Sequence, residues 1–196
     1  MIYTKPRFLT WFFLEINKMA LKPTIFKMNI NVSNLDQDIY ETIPLTIAQH
    51  PSETTERMVT RILAFVLNNQ EFLTFTKGLS EADDPDIWAK NYSDEFLLWI
   101  DVGEPGFERI KKACRQARET KVYTFNTKAN VWWKQSEKDF STIKADVYQF
   151  DFEQIQAFAR LIQRTMDFSI TITDNVFYIA ADNGSCEVNL TTLQGE

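Results

Sequence analysis

The sequence predicts one α/β domain built on a mixed β-sheet flanked by helices. Two observations support this prediction. Segments with alternating apolar residues, typical of strands, are interspersed with segments whose apolar residues recur at helical spacing. In addition, no Pro-, Gly- or Ser-rich linker divides the chain, and its 196 residues are enough for one generous domain but few for two.

The first two strands and the first helix are predicted before residue 68. Alternating apolar residues over 24–32 and 40–48 indicate two strands joined by a turn-rich connection. A helix is then expected from Ser52 to about residue 67, with Ser52 as its N-cap, because a serine hydroxyl can accept a hydrogen bond from the first turn. Its apolar face has helical spacing and comprises Met58, Ile62, Phe65 and Val66.

The centre of the sheet is predicted at residues 96–102, which are nearly all apolar and therefore indicate a strand buried on both faces. Before it, residues 72–76 predict a strand and residues 81–86 an acidic turn. After it, a helix is expected over 107–119 and a strand over 121–126. The two strands on either side of this helix should be parallel neighbours.

The last third of the chain predicts helices and strands that end in a β-rich tail. Helices are expected at about 130–138 and 152–165, and strands at 146–150, 168–173, 176–181 and 187–190.

Residues 1–18 are expected to lie outside the fold, which leaves 19–196 as the single domain. The apolar stretch at 8–14 is too short to span a membrane, which takes roughly 20 residues. No small-residue cleavage site follows it, so a signal peptide is not indicated. We interpret residues 1–18 as an extension upstream of a natural start at Met19; a weak amphipathic membrane anchor is the alternative.

Composition excludes several classes of active site. The single histidine, His50, rules out a histidine-rich metal site, and two cysteines cannot form a four-thiolate zinc site. The five glycines give no dinucleotide fingerprint, Walker loop or serine-hydrolase elbow. Two cysteines without a disulfide framework are typical of reduced thiols, so a cytoplasmic location is expected. His50, at a strand–helix junction, is interpreted as a structural residue.

Basic residues are concentrated in one segment of an acidic chain. The formal net charge of the chain is −6, yet residues 109–121 hold six Lys and Arg against one acidic residue. On the predicted helix, Lys111, Arg115 and Arg118 would form one outward stripe. Such a stripe either binds the phosphates of a nucleic acid or is a solvated helix face.

Acidic residues supply the candidate metal ligands. Asp101 ends the buried central strand, where open α/β sheets bind ligands; a carboxylate there is either paired, bound to a metal or a turn residue. Three more acidic residues, Asp83, Asp84 and Asp86, lie around Pro85. They are either ligands for a hard cation such as Mg²⁺ or part of a solvated acidic loop.

A third candidate group lies on the first predicted helix. Glu53, Arg57 and Arg61 follow at i, i+4 and i+8 on its polar face. This spacing is typical of a surface salt-bridge ladder, but it also directs one carboxylate and two guanidinium groups toward a shared site.

Several strings of residues resemble the bacterial YaeQ family, in order and over residues 19–194. They include His50-Pro51-Ser52-Glu53, Phe75-Thr76-Lys77-Gly78-Leu79, Asp84-Pro85, Leu98-Trp99-Ile100-Asp101, Arg109-Ile110-Lys111-Lys112-Ala113, Val131-Trp132-Trp133 and Glu187-Val188-Asn189-Leu190-Thr191. The resemblance implies a restriction-endonuclease-like fold, a variant of the PD-(D/E)XK nucleases, which hold one or two Mg²⁺ ions.

The resemblance also implies metal ligands. Glu53 would be the helical carboxylate and Asp101 the D/E position. Asp83 or Asp84 would take the remaining acidic position, with Asp86 of the literal Pro-Asp pair as a further option.

The resemblance departs from the nuclease motif at its lysine, because Gly103 stands in that position. A catalytic lysine would have to come from Lys111 or Lys112, with Lys77 as another possibility. The residues expected to contact nucleic acid are Arg57, Lys77, Arg109 and Arg115. The resulting hypothesis is a Mg²⁺-dependent, nuclease-like protein acting on DNA or RNA. The alternative is a catalytically inactive module, possibly regulatory, that binds nucleic acid or protein.

Overall fold

The computed structural model describes residues 22–81 and 83–195. In chain order its strands and helices are β1 (Thr24–Asn34), β2 (Ile39–Gln49), α1 (Thr55–Leu67), β3 (Leu73–Phe75), β4 (Ile87–Lys90), β5 (Phe96–Val102), α2 (Phe107–Gln116), β6 (Ala117–Thr124), α3 (Ala129–Phe140), β7 (Asp146–Phe150), α4 (Phe152–Leu161), β8 (Thr165–Thr173), β9 (Val176–Ala181) and β10 (Gly184–Gln194). A 3-10 turn, Gly78–Ser80, follows β3. The predicted extension, 1–18, lies outside the described residues.

The strands form one ten-stranded sheet in the order β2-β1-β8-β9-β10-β7-β6-β5-β4-β3. The pairs β1/β8, β5/β6 and β6/β7 are parallel and the others antiparallel, so the predicted mixed sheet is confirmed. The sheet is nearly closed and flanked by helices. The predicted parallel pairing of the two strands around α2 is also confirmed. The assignment of the whole fold as restriction-endonuclease-like stays a prediction.

Helix α1 is buried on all sides along its middle. Every residue from Met58 to Val66 is buried, and the helix packs against β2, β5 and α4. A helix buried all round is normally apolar. Thr60 and Arg61 are the polar residues within this run, and the charge of Arg61, which is only 2% exposed, therefore has to be paired.

The core has two parts that lie on opposite faces of β6. Val122 packs with Ile110 and Phe140 beneath α2 and α3, whereas Tyr123 belongs to the larger core around α1. Successive side chains of a strand point to opposite faces. Helices α2 and α3 thus cover the face of the sheet that α1 does not.

Three predicted helix ends are wrong. Helix α4 ends at Leu161 rather than at residue 165, which is the first residue of β8. Helix α1 begins at Thr55 with Thr54 as its N-cap, because the Thr54 hydroxyl accepts the hydrogen bond of the Arg57 amide. Ser52 instead lies in a turn before the helix. Helix α2 ends at Gln116 rather than at residue 119, because from Ala117 onward the chain pairs with β5 as a strand.

The earlier end of α2 also corrects the predicted stripe of basic residues. Arg118 lies on β6, where it pairs with Glu95, so it does not continue the helical row of Lys111 and Arg115.

Strand β4 was not predicted, because its four residues directly follow the acidic turn and are too few to establish a period. The remaining strands and helices lie within a few residues of their predicted bounds. No helix in the described part of the chain has both the length and the apolar character needed to cross a membrane.

Candidate functional site

A cleft of about 420 Å³ opens where β5 ends, between the 3-10 turn, the loop before β4 and the start of α2. Its charged lining residues are Arg57, Glu81, Asp84, Asp86, Asp101, Glu104 and Arg109. Five carboxylates thus face two guanidinium groups, an excess of three formal negative charges. The cleft is acidic although it contains two arginines.

Beneath the cleft, Glu53 and two arginines of α1 form a buried ion cluster. Arg57 Nη1 lies 2.9 Å from Glu53 Oε1, and Arg61 Nη1 lies 3.1 Å from both carboxylate oxygens. The Glu53 side chain is 1% exposed. The i, i+4, i+8 spacing therefore does direct these three side chains to one site, in the interior rather than in a surface ladder. Glu53 itself precedes the helix, because α1 begins two residues later.

His50 holds Glu53 in this position. The Glu53 amide donates to the His50 carbonyl at 2.8 Å, and the His50 amide donates to Glu53 Oε2 at 3.3 Å. The His50 ring nitrogen Nδ1 accepts the Ser52 amide at 3.1 Å. These hydrogen bonds agree with the structural interpretation of His50.

Asp86 joins the cluster to the sheet. Its Oδ1 lies 2.7 Å from Arg57 Nη2, and its Oδ2 accepts the Val102 amide at 2.7 Å. For Arg57, burial acts to lower the pKa, but the charges of Asp86 and Glu53 raise it overall. Asp86 thereby links α1 to the end of β5.

Asp101 is buried at the end of β5 and is held by Arg109 of α2. Arg109 donates from Nε at 2.8 Å and from Nη2 at 2.9 Å, and Trp99 Nε1 donates at 3.3 Å. Burial raises the pKa of the Asp101 carboxyl, the Arg109 bonds oppose this rise, and the nearby charge of Asp86 adds to it. The hydrogen bond to Asp101 raises the pKa of Arg109.

The four acidic residues predicted as metal ligands do not lie together. Asp101 and Asp84 line the cleft, and Glu53 lies beneath it. The Asp83 side chain is 98% exposed and lies 3.9 Å from Lys112. Within the described residues, no group of three or more His, Cys, Asp or Glu side chains is arranged to hold a metal ion.

Only some of the basic residues predicted for the site lie at the cleft. Arg57 and Arg109 line the cleft, whereas none of Lys77, Lys111 and Lys112 does. Lys77 pairs with Glu81, Lys111 with Glu108 and Lys112 with Asp83. Arg115 lies six residues beyond Arg109 on α2, about 9 Å along the helix axis.

Two acidic residues of the site, Asp86 and Glu104, are marked weakly or not at all by the sequence pattern. Asp86 is the buried acidic residue of the 81–86 turn, and its signal was the Pro-Asp pair directly before Ile87. Glu104, in the loop after β5, accepts hydrogen bonds from Thr124 and Asn126. A glutamate between Gly103 and Pro105 gave no pattern that could mark it.

The cleft offers carboxylate oxygens, the donors that hard cations prefer. A carboxylate oxygen can accept two contacts, and Oδ1 of Asp101 accepts one hydrogen bond, from Arg109. Both oxygens of Asp86, in contrast, accept hydrogen bonds from Arg57 or the Val102 amide. Mg²⁺ commonly binds proteins through one or two carboxylates and completes its shell with water and substrate phosphate, which leaves Asp84 and Asp101 as the candidate ligands in the cleft.

Fold and site together define a mixed α/β protein whose acidic, arginine-containing cleft lies at the end of a buried central strand. A family model described as "YaeQ protein" matches residues 19–190. The chain belongs to the YaeQ family.

Relatives and solved structures agree with this assignment. The YaeQ protein of Escherichia coli (strain K12) is 42% identical over 178 residues, which cover 90% of this chain and 98% of the relative; that of Salmonella typhi is 38% identical over the same shares. The crystal structure of YaeQ protein from Xanthomonas axonopodis pv. citri is similar with a TM-score of 0.86 and 35% identity, over 89% of this chain and 99% of that one. A YaeQ structure from Pseudomonas syringae gives a TM-score of 0.84 and 31% identity, over 89% and 97%.

Proposed function

We propose that the protein is a Mg²⁺-dependent phosphodiesterase of nuclease type that acts on DNA or RNA in the cleft at the end of β5. The excess of carboxylates over guanidinium groups in the cleft is the observation that supports this proposal. A phosphodiester entering alone is repelled by the negative charge that remains after Arg57, Arg109 and Lys77, the partner of Glu81, are counted. A divalent cation offsets this charge, so substrate phosphate and cation are expected to bind together.

In this proposal the carboxylates of the cleft bind the ion and its arginines bind the substrate phosphate. Asp84 and Asp101 would hold the ion, with water and substrate phosphate completing its shell. The ion, when bound, would supply a Lewis acid and a more acidic water. Arg57 and Arg109 reach the cleft with side chains that are 18% and 32% exposed, and they can donate to phosphate oxygens.

Glu53 and Arg61 keep Arg57 and Asp86 in place from below the cleft. Lys112 lies 3.9 Å from Asp83, the residue before Asp84, and is one candidate for the missing motif lysine; Lys111 and Lys77 are the others.

Cleavage of a labelled oligonucleotide with and without Mg²⁺ or Mn²⁺ tests the proposal. We expect metal-dependent cleavage by the wild type, and loss of at least tenfold in Asp101→Asn. Asp94→Asn is the matched control, since Asp94 is an exposed aspartate at the opposite end of β5, outside the cleft. Equal rates in the two variants, or cleavage that ignores metal, would contradict the proposal.

A catalytically inactive binding module is the second candidate, and a different observation favours it. Glu53, Asp86 and Asp101 are each held by an arginine, and the motif lysine is replaced by Gly103. This candidate predicts salt-sensitive binding of nucleic acid that is the same in Mg²⁺ and in EDTA and is not followed by cleavage. Charge reversal at Lys111 and Arg115 would abolish that binding.

A further inference from the structure

Helix α2 concentrates positive charge on the face of the sheet that it shares with α3. It holds four Lys and Arg against one Glu, and Lys128 directly precedes α3, in a chain whose net charge is −6. The two Lys of α3, Lys134 and Lys138, are matched in number by Glu137 and Asp139. The two helices contact each other and cover the same part of the core. Such separation of charge in an acidic chain gives a local field that attracts polyanions.

Several cations of this face are not engaged by acidic side chains. Within residues 22–81 and 83–195, no carboxylate lies within ion-pair distance of Arg115, Lys128, Lys134 or Lys138. All four are exposed. They differ from Lys112 and Arg118, which have acidic partners. Cations without acidic partners are available to phosphates.

Two tryptophans lie on the same helix as Lys134 and Lys138. Trp132 and Trp133 are half-buried neighbours on α3, with ring centroids 5.9 Å apart, and each makes a T-shaped contact with the buried Phe140 ring. On α2, Lys111 Nζ lies 5.2 Å from the centre of the Phe107 ring, which is 6.0 Å from that of Phe140. Both helices thus carry aromatic and basic side chains around Phe140.

We infer that this α2/α3 surface binds single-stranded nucleic acid, with bases stacked on Trp132 and Trp133 and phosphates held by the surrounding Lys and Arg. Aromatic side chains in a basic surface are the combination that recognises single strands, whose base faces are accessible. A duplex hides those faces within its own stack and offers the tryptophans nothing to contact.

The α2/α3 surface adjoins the cleft, because Arg109, in the first turn of α2, is a lining residue of the cleft. The inference rests on the proposed function only where it names a single strand as the substrate; binding itself requires no catalysis.

Fluorescence anisotropy in EDTA tests this inference without involving the metal-dependent cleft. The probes are a labelled thymidine oligonucleotide about 20 nucleotides long and a duplex of equal length, since stacking sites take up to about 16 nucleotides. Trp133→Leu should weaken binding of the single strand about fivefold or more and leave duplex binding unchanged. Trp133→Phe, which keeps an aromatic face, should restore most of the affinity.

Trp88→Leu is the matched control, because Trp88 is a half-buried tryptophan on β4, where it packs with Lys90 and Phe96. Equal losses in Trp88→Leu and Trp133→Leu, tighter binding of the duplex, or capture of neither nucleic acid would overturn the inference; the last result would direct attention to a protein partner. Stacking without metal-dependent cleavage would retain the inference and remove only the proposed function. Circular dichroism of each variant verifies that it folds.

Discussion

Two acid–base pairs of the same spacing show how differently one sequence pattern can act. Glu53 and Arg57 lie four residues apart and meet at 2.9 Å; Lys77 and Glu81 lie four residues apart and meet at 3.2 Å. The side chains of Glu53 and Arg57 are 1% and 18% exposed, and those of Lys77 and Glu81 are 74% and 51% exposed. Burial, not spacing, decides whether such a pair organises a site or is a solvent-exposed surface ion pair.

The comparison predicts its largest effect at Glu53. Glu53→Gln removes the charge that compensates Arg57 and Arg61, and should lower the free energy of unfolding by about 3–5 kcal/mol, the usual cost of breaking a buried ion pair. Glu81→Gln should change it by less than about 1 kcal/mol. Urea unfolding of both variants measures the difference; equal values would show that burial does not separate the two pairs.

A buried amide side chain should give an intermediate effect. The Asn68 side chain donates to the Tyr123 hydroxyl and the Ala64 carbonyl, both at 2.7 Å, and accepts from Lys121 Nζ at 2.9 Å. Asn68→Ala removes these hydrogen bonds, including the one to the buried Tyr123 hydroxyl, and should cost about 1–3 kcal/mol in urea unfolding. Asn91, whose side-chain hydrogen bonds lie at the surface of the hairpin between β4 and β5, provides the control, and a cost for Asn91→Ala that matches it would remove the distinction.

A smaller effect should appear in the pH dependence of stability. Because burial raises the pKa of Asp101 above its ordinary value of 3.8, the folded state holds this proton more tightly than the unfolded state. Ionisation of Asp101 therefore reduces stability as the pH rises above 3.8.

Asp101→Asn lacks this titration, so the stability of the wild type minus that of the variant should fall with rising pH from that point. Urea unfolding of both proteins across this pH range measures it; a difference that rises would contradict the direction of the pKa shift.

The smallest effect on stability is expected at the surface. Lys111→Gln breaks a pair with Glu108 at 3.5 Å that should contribute less than about 1 kcal/mol. If Lys111 contacts a phosphate, however, the variant should lower the slope of log binding constant against log salt concentration by about one. An unchanged slope, measured by anisotropy titrations, would place Lys111 outside the interface.

Most strands and the buried face of α1 were predictable because their apolar residues repeat over many positions, as at Ile43, Leu45 and Ile47 of β2. The common face of Arg57 and Arg61 was predictable for the same reason, since a helix fixes which side chains share a face. The position of Glu53 was not, because Glu53 precedes the helix and is held by His50.

Asp86 was harder to choose over Asp83 and Asp84. The three lie in one irregular turn without a repeat, and only pairing of the following strand with β5 buries Asp86. The end of α2 likewise depends on tertiary structure, because pairing with β5 begins at Ala117 in a segment whose sequence would continue a helix.

Binding of Mn²⁺ is the measurement that most directly tests the central claim that the acidic cleft accepts a divalent cation together with phosphate. Calorimetric titrations of the wild type, Asp101→Asn and Asp94→Asn would be run with and without an unlabelled thymidine oligonucleotide. We predict one ion for each wild-type chain, bound more tightly with the oligonucleotide, weakened at least tenfold in Asp101→Asn and unchanged in Asp94→Asn. The absence of binding at millimolar metal even with the oligonucleotide, or equal binding by all three proteins, would contradict the account.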